Sequence, residues 1–543
     1  MKHYIKKHLI SFLGLISFIL VKVIFQNRFS ILKGQLIDSA IGKTNTPLSQ
    51  FLIHFAIVLI IYLSSSYILG IIRFGLRMNI IKDLKDDFFI STLKRNRIDI
   101  RNLDISKAIS SYTAEINLID QNFLDKGGHL LEYVFSIVIT LTSIAIIDFK
   151  MALVSLAVYV LPVFFTKSQQ NKLTQAQQDF QTENDHHTKS FLQNLKGVEV
   201  IKNYNIEENI FKIFDKSLNK LVGADIKRAD TRARIIGMSS VLTYFSQAII
   251  AGLSVYLVFT GDISAGDFVS IFSLSASISS QVYWLAQSVE AVLSAQPAIN
   301  SISGYIDYPQ ESDAKTVIQK TNDDNIAIQI ENLSLSFGKR NILEDLNFTV
   351  NKGEKILILG ASGTGKSSLM SLIAGYLQPS NGTIRFLSEN RNSLLTMVDQ
   401  ETFIFRGTLE DNLFVETSKD KEKVETLIND LGLNAIYNEF KSIDERGRNL
   451  SGGERKRLAL ARGVLRNSQI IILDEPLANV DSENIERIEN LILGMDRTVI
   501  IISHQVSSHL FNGMDKVYKL ISGNLINIKK EKTDLIGMLE NSL

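Results

Sequence analysis

Apolar residues follow two different rhythms along this chain. Over the first 310 residues they form blocks at about Leu9–Phe25, Phe51–Ile72, Leu130–Ile147, Met151–Phe165, Ile235–Phe259 and Phe268–Leu293. A helix needs about 20 predominantly apolar residues, rising 1.5 Å each, to cross a bilayer, so the blocks predict six membrane helices. The fourth block is short and contains Pro162, but only Asp148–Lys150 separate it from the third, which predicts a tight hairpin. Beyond residue 325 the rhythm changes. Ile356–Leu359, Ile470–Leu473 and Val499–Ile502 are short continuous apolar runs bounded by polar residues. Such runs are expected of parallel strands buried on both faces. The chain is therefore read as multi-domain: an all-α six-helix transmembrane domain over 1–310, a polar linker over 311–324 within Gln310–Asp324, and an α/β domain over 325–543.

Charge changes this picture by orienting it. Lys and Arg number 58 against 57 Asp and Glu, a formal net charge of +1, so the balance favours no nucleic-acid partner. The basic residues are unevenly placed. The connection Arg73–Gly128 carries about ten and Thr166–Arg234 about a dozen, while the other three connections share about four. The two basic connections and the N terminus, with Lys2, Lys6 and Lys7, are assigned to the cytoplasm. Six spans return the C-terminal half to the same side. Each basic connection has few turn residues, which predicts helical hairpins projecting about 40 Å below the bilayer rather than loops. The opening stretch MKHYIKKHLISFLGLISFILVKVIF lacks a small-residue cleavage site and reads as a retained first span. The absence of cysteine excludes disulfides, thiolate metal sites and cysteine nucleophiles.

Candidate chemistry is concentrated in the α/β half. The run Ile356–Leu359 leads into Gly360-Ala361-Ser362-Gly363-Thr364-Gly365-Lys366-Ser367-Ser368, and a helical pattern follows. Strand, glycine loop and helix, with Lys-Ser at the helix start, form a phosphate-binding loop. Glycines let successive backbone N–H groups close around phosphate oxygens at the positive end of the helix dipole. Lys366 is expected on the β/γ-phosphates and Ser367 on Mg²⁺. The second apolar run ends in Asp474 and Glu475, at the strand edge where open α/β sheets bind ligands. Asp474 is the candidate for the Mg²⁺ sphere and Glu475 for polarising the attacking water. The third run leads into His504 at the same edge. Ser451-Gly452-Gly453-Glu454 opens a basic helix and forms a second anion-binding nest. One nucleotide on one chain has no use for two such nests, whereas two chains facing each other do.

In this order the residues resemble the ABC ATPases. The phosphate loop Gly360–Ser367, Gln400, the signature Leu450–Glu454, Asp474 with Glu475, Asp481 and His504 match that family's motifs. The resemblance implies an α/β P-loop ATPase domain with a helical subdomain, in which Gln400 joins the Mg²⁺ sphere and the catalytic group. It further implies that Phe337 stacks on adenine, that Asp481 lies in the D-loop, and that Glu445-Arg446-Gly447 senses the membrane domain. Glu454 replaces the signature's usual glutamine, and LANVD at Leu477–Asp481 departs from the commoner D-loop while keeping its aspartate. Six spans and one ATPase look like a half-transporter of the exporter superfamily.

The function that follows is ATP-driven export by alternating access in a bacterial cell membrane, with ATP and Mg²⁺ as cofactors. A drug, lipid, peptide or bacteriocin-like molecule would be the cargo. The partners are the lipid bilayer, the transported molecule and a second half-transporter. A homodimer is expected, with the intact half of a heterodimer as the alternative. An importer of a metal chelate and an ATP-gated channel or sensor subunit stay open on the same architecture. Coupling turns are expected near Ile98–Asp104 and Tyr204–Glu208. The sixth span carries Gln281, Trp284 and Glu290, and the fifth Tyr244 and Gln247. Polar groups in spans face cavities or a bundle interior, so these five are the candidate substrate path. Lys22 in the first span is read as lining the cavity or snorkelling.

Overall fold

A computed structural model describes residues 1–43, 48–308, 319–338, 340–361, 363–388, 391–400, 402–413, 421–434, 436, 442–478, 480–504, 506–521 and 523–528. The chain divides into two compact units, one formed by Met1–Lys94 with Asp104–Tyr308 and the other by Arg95–Leu103 with Pro309–Leu543.

The first unit is all-helical. Its long helices are α1 (Leu9–Ala40), α2 (Leu48–Leu93), α3 (Ile105–Ile147), α4 (Phe149–Lys196), α5 (Glu207–Thr260) and α6 (Ala265–Ser294). All six are long and apolar enough to cross a membrane, in agreement with the six blocks. The basic connections are helical extensions of the spans, as their composition predicts. The second hairpin turns at the short helix Val198–Tyr204, closed by Asn205 in the left-handed region. Local chemistry sets the other turns. Asp148 caps α4 by accepting from the Met151 N–H at 2.7 Å. Gly261, at φ 83°, ends α5, and Ser264 with Asp267 forms a reciprocal capping box that starts α6.

Near these turns α3, α4, α5 and α6 converge on Ile144, Met151, Tyr159, Ile250, Ile271 and Leu274. The Tyr159 hydroxyl donates to the Ser275 carbonyl at 2.8 Å. Gly34 of α1 and Gly266 of α6 touch backbone to backbone, and a Cβ on either would collide with the other's carbonyl oxygen. Lys22, read from the sequence as lining the cavity or snorkelling, is ion-paired to a neighbouring helix. Its ammonium pairs with Glu132 at 2.5 Å, and Arg73 pairs with the second Glu132 oxygen at 2.5 Å. A cation among apolar helices is stable only with a partner.

The second unit holds two sheets. One orders β1 (Gln319–Lys320), β5 (Asn381–Phe386), β2 (Ile326–Phe337) and β3 (Arg340–Asn351). The other runs β10 (Asn524–Asn527), β9 (Lys516–Ile521), β4 (Lys355–Leu359), β8 (Thr498–Ser503), β7 (Ile470–Asp474) and β6 (Leu395–Val398), parallel except for β10. The three apolar runs are its central strands, β4, β8 and β7. Alternate residues feed opposite cores: Leu357, Ile471, Leu473, Val499 and Ile501 on one face, Ile356, Ile358, Ile470, Ile472 and Ile500 on the other. Burial on both faces is why the runs are continuous rather than alternating. The helices relevant to the site are α7 (Lys366–Ala374), α8 (Lys421–Asp430), α9 (Gly452–Leu465) and α10 (Ser482–Gly494). Gln319 and Lys320, polar residues of the expected linker stretch, pair in parallel with Arg385 and Phe386.

Candidate nucleotide-binding and hydrolysis site

Because β4, β8 and β7 are parallel neighbours, their carboxyl ends bring the phosphate loop, His504 and the Asp474–Glu475 pair to one edge. Gly363 and Gly365 adopt φ of 80° and 103°, which turns the loop into α7. A side chain at Gly365 would also press on Leu343 at 3.0 Å. The Thr364 hydroxyl donates to the Ala361 carbonyl at 2.9 Å and steadies the loop. Lys366 is buried and donates to the carbonyls of Gly360 (2.6 Å) and Ala361 (2.7 Å). Burial lowers its pKa, against the pull of Glu475 and Asp474. Ser367 and Ser368 occupy the first turn of α7. Ser362 lies outside the described residues, and Phe337 ends β2 with its ring half exposed.

Glu475 is the hub. Its backbone sits at φ 48°, in the left-handed region. One carboxylate oxygen lies 2.7 Å from His504 Nε2, and the other accepts from Gln400 Nε2 at 2.8 Å. His504 Nδ1 lies 2.9 Å from the Gly360 carbonyl, so the histidine spans from the base to the phosphate loop. Asp474 is buried, and its carboxyl is pushed above the usual range by burial and by the neighbouring Glu475 and Asp399 charges. An oxygen-only set from Asp474 and Ser367 beside a phosphate nest fits a hard divalent cation such as Mg²⁺. Gln400 is held on the Glu475 carboxylate.

The signature residues stand at a helix start, as their spacing predicts. Ser451 caps α9: its hydroxyl accepts from the Glu454 N–H at 3.2 Å, and Glu454 accepts from the Ser451 N–H at 2.7 Å. Gly452 and Gly453 form the first turn. Asp481 precedes α10, accepts from Asn484 Nδ2 at 2.7 Å and lies 3.6 Å from Arg457. The short helix Arg97–Arg101, inside the expected coupling turn, is part of this unit. Arg97 donates to the Ala374 carbonyl at the C-terminal end of α7 (2.7 Å), and Arg101 donates to Ser371 Oγ (2.9 Å). The Ser371 hydroxyl donates in turn to the Ser367 carbonyl at 2.7 Å.

Sequence reasoning missed Lys456, which donates to the Glu475 carbonyl at 3.0 Å, and the Lys22–Glu132–Arg73 cluster. Of the candidate path residues, Tyr244, Trp284 and Glu290 are exposed, and Gln247 and Gln281 are partly buried. Gln281 donates to Ser277 at 3.4 Å, and its Oε1 is buried with no hydrogen-bond partner among the described residues.

Six membrane helices joined to a P-loop ATPase unit with a separate signature nest define a membrane transport ATPase. Residues 11–282, half of the chain, match the family described as ABC transporter transmembrane region, and residues 343–478 match ABC transporter. The chain belongs to the ABC transporter family. It is a multi-pass membrane protein with its ATPase unit in the cytoplasm. A putative ABC transporter ATP-binding protein of Streptococcus pneumoniae is 23% identical, covering 96% of this chain and 92% of that protein. A putative multidrug export ATP-binding/permease protein of Staphylococcus aureus is 26% identical over 72% of this chain and 70% of its own length. The lactococcin-G-processing and transport ATP-binding protein of Lactococcus lactis is 28% identical over 81% of this chain and 63% of its own length. The fold is that of a bacterial Atm1-family ABC exporter solved with ATP bound, at 17% identity and a TM-score of 0.78, covering 95% and 94% of the two chains.

Proposed function

We propose that this chain is an ATP-driven exporter working as a dimer of identical halves. The phosphate loop of each half faces the Ser451-Gly452-Gly453 nest of the other. The carrying observation is the completeness of the site edge: Lys366, Asp474, Glu475, Gln400 and His504 converge there, while the nest on α9 holds a second set of anion donors. Phe337 stacks on adenine, and the N–H groups of Gly360–Ser368 hold the phosphates. Lys366 must first leave its carbonyl partners to reach the β/γ-oxygens. Ser367 and Asp474 would hold Mg²⁺, which would supply positive charge beside the phosphates. Glu475 accepts the proton of the attacking water, His504 orients the γ-phosphate, and Gln400 places the water.

The cargo class supported by the relatives' names is a drug-like or peptide molecule. The proposed path uses Tyr244, Gln247, Gln281, Trp284 and Glu290. A neighbouring cleft lined by Thr166, Ser239, Thr243, Tyr283 and Gln287 offers only uncharged groups. The test is ATP-dependent flux of fluorescent drugs and of a labelled peptide in inverted vesicles. Uptake that needs Glu475 supports export. Loss of preloaded cargo on adding ATP would mean import, and unitary currents in planar bilayers would mean a channel.

A further inference from the structure

The N-terminal part of α9 carries three consecutive cations, Arg455, Lys456 and Arg457, and each reaches a different functional loop. Arg455 donates to the carbonyls of Leu450 (2.7 Å) and Gly447 (3.3 Å), the latter in the Glu445–Gly447 turn. Lys456 donates to the Glu475 carbonyl at 3.0 Å. Arg457 is buried and stands 3.6 Å from Asp481, while its Nε and Nη1 make no hydrogen bond among the described residues. Lys456 is the informative member. Glu475 keeps a left-handed backbone, and among the described residues the carbonyl that Lys456 holds otherwise accepts a long bond, from the Ala478 N–H at 3.3 Å. Lys456 thus ties α9 to the backbone of Glu475. Burial, which lowers the Lys456 pKa, adds to the cost of losing that acceptor.

We propose that Lys456 is a positioning residue linking the two ATP sites of the dimer. The inference rests on the proposed dimeric reading. The Ser451–Gly453 nest of a chain engages the ATP held by the second copy, whereas the Glu475 on the same chain serves that chain's own ATP. α9 and Lys456 are thus a rigid connection from the state of one site to the base of the other.

The test uses the full chain in lipid discs, with hydrolysis followed against ATP concentration. Wild type is expected to be dimeric, with a Hill coefficient of about 1.5–2. Lys456→Met is expected to bring the coefficient to about 1 while the saturating rate falls less than about fivefold; Lys456→Arg, which keeps the donor, is expected to restore the sigmoid. A nucleotide-binding titration of each variant confirms folding, and Lys456→Gln carries the same expectation should the Met variant not fold. A loss of saturating rate at an unchanged Hill coefficient overturns the link and leaves Lys456 as a local prop for Glu475. An unchanged curve overturns both roles. A monomeric wild-type protein overturns the dimeric reading and the link with it, and a dimeric wild type with a hyperbolic curve overturns the link alone.

Discussion

The membrane unit and the ATPase unit solve the burial problem in opposite directions. In the six spans only 17–33% of each membrane window is buried within the protein, and large apolar residues such as Ile60, Phe164 and Phe259 point outward. The positions turned inward are often small and polar: Ser136, Ser155, Ser246, Ser254 and Ser275 are all buried. In the ATPase unit, Ile356–Ile358, Ile470–Leu473 and Val499–Ile502 are sealed off from solvent. Lipid is as apolar as leucine, so association among spans relies on close approach and polar contacts, whereas water drives the strands into a core. Charge follows the same division. Glu132 is locked between two cations, while Glu475 is held by an amide and an imidazole that nucleotide can rearrange. A charged group is a fastener in the first unit and a moving part in the second.

Removing the moving part has the largest expected effect. Glu475→Gln keeps the shape and the contacts to Gln400 and His504 but cannot take a proton from water. Turnover is expected to fall by at least about a hundredfold, with ATP binding retained and a closed dimer accumulating. Phosphate release together with a nucleotide-binding titration checks this. Activity above about a tenth of wild type assigns the base to another group.

Removing the fastener acts on stability instead. Glu132→Ala leaves the half-buried Lys22 and Arg73 without this anion, at an expected cost of about 3 kcal/mol. Lys22→Met is expected to cost much less, because Glu132 keeps Arg73. Melting of the purified protein in one detergent ranks the two. A ranking reversed, or two equal values, would mean that the cluster does not hold α1, α2 and α3 together.

The two regions were also unequally legible in the sequence. The six spans, the strand edges and the phosphate loop could be read because apolar run length and glycine spacing are local properties of the chain. Helical continuation of the basic connections followed from their lack of turn residues. What escaped depends on packing. Arg73 and Glu132 lie 59 positions apart at the rims of different apolar blocks, and nothing in either block indicates the other. Lys456 sits between two arginines of a basic helix, and only the register of α9 against β7 separates its role from theirs. The roles proposed for Phe337 and Asp481 rest only on resemblance.

A smaller effect concerns pH. A carboxyl whose folded pKa is raised keeps a proton that the unfolded chain has already released. Its contribution to stability is therefore present below the ordinary carboxylate range and lost as pH rises through the folded value. Asp474 is such a group. Asp474→Asn is expected to raise the melting temperature by about 2–4 °C near pH 8 and by less near pH 5. An equal gain at both values would attribute the effect to packing rather than to charge.

The smallest effect is expected at Glu454, where the two kinds of charge meet. Its carboxylate is a fastener, since it accepts from the Ser451 N–H and completes the cap of α9. It also places a negative charge at the nest proposed to receive the γ-phosphate of the facing site. Glutamine keeps an acceptor for the cap and removes the repulsion. Glu454→Gln is therefore expected to lower the apparent KM for ATP about two- to fivefold with kcat unchanged, an energy in the range of an exposed charge pair. Salt screens exposed charges, so the difference should shrink as ionic strength rises. Glu454→Ala removes the fastener and the repulsion together. It should share the lower KM but lose about 1 kcal/mol of stability through the broken cap. If glutamine and alanine lower KM equally and melt together, the carboxylate acts through charge alone. If neither lowers it, the nest does not meet the γ-phosphate, and the facing-dimer arrangement loses its electrostatic support.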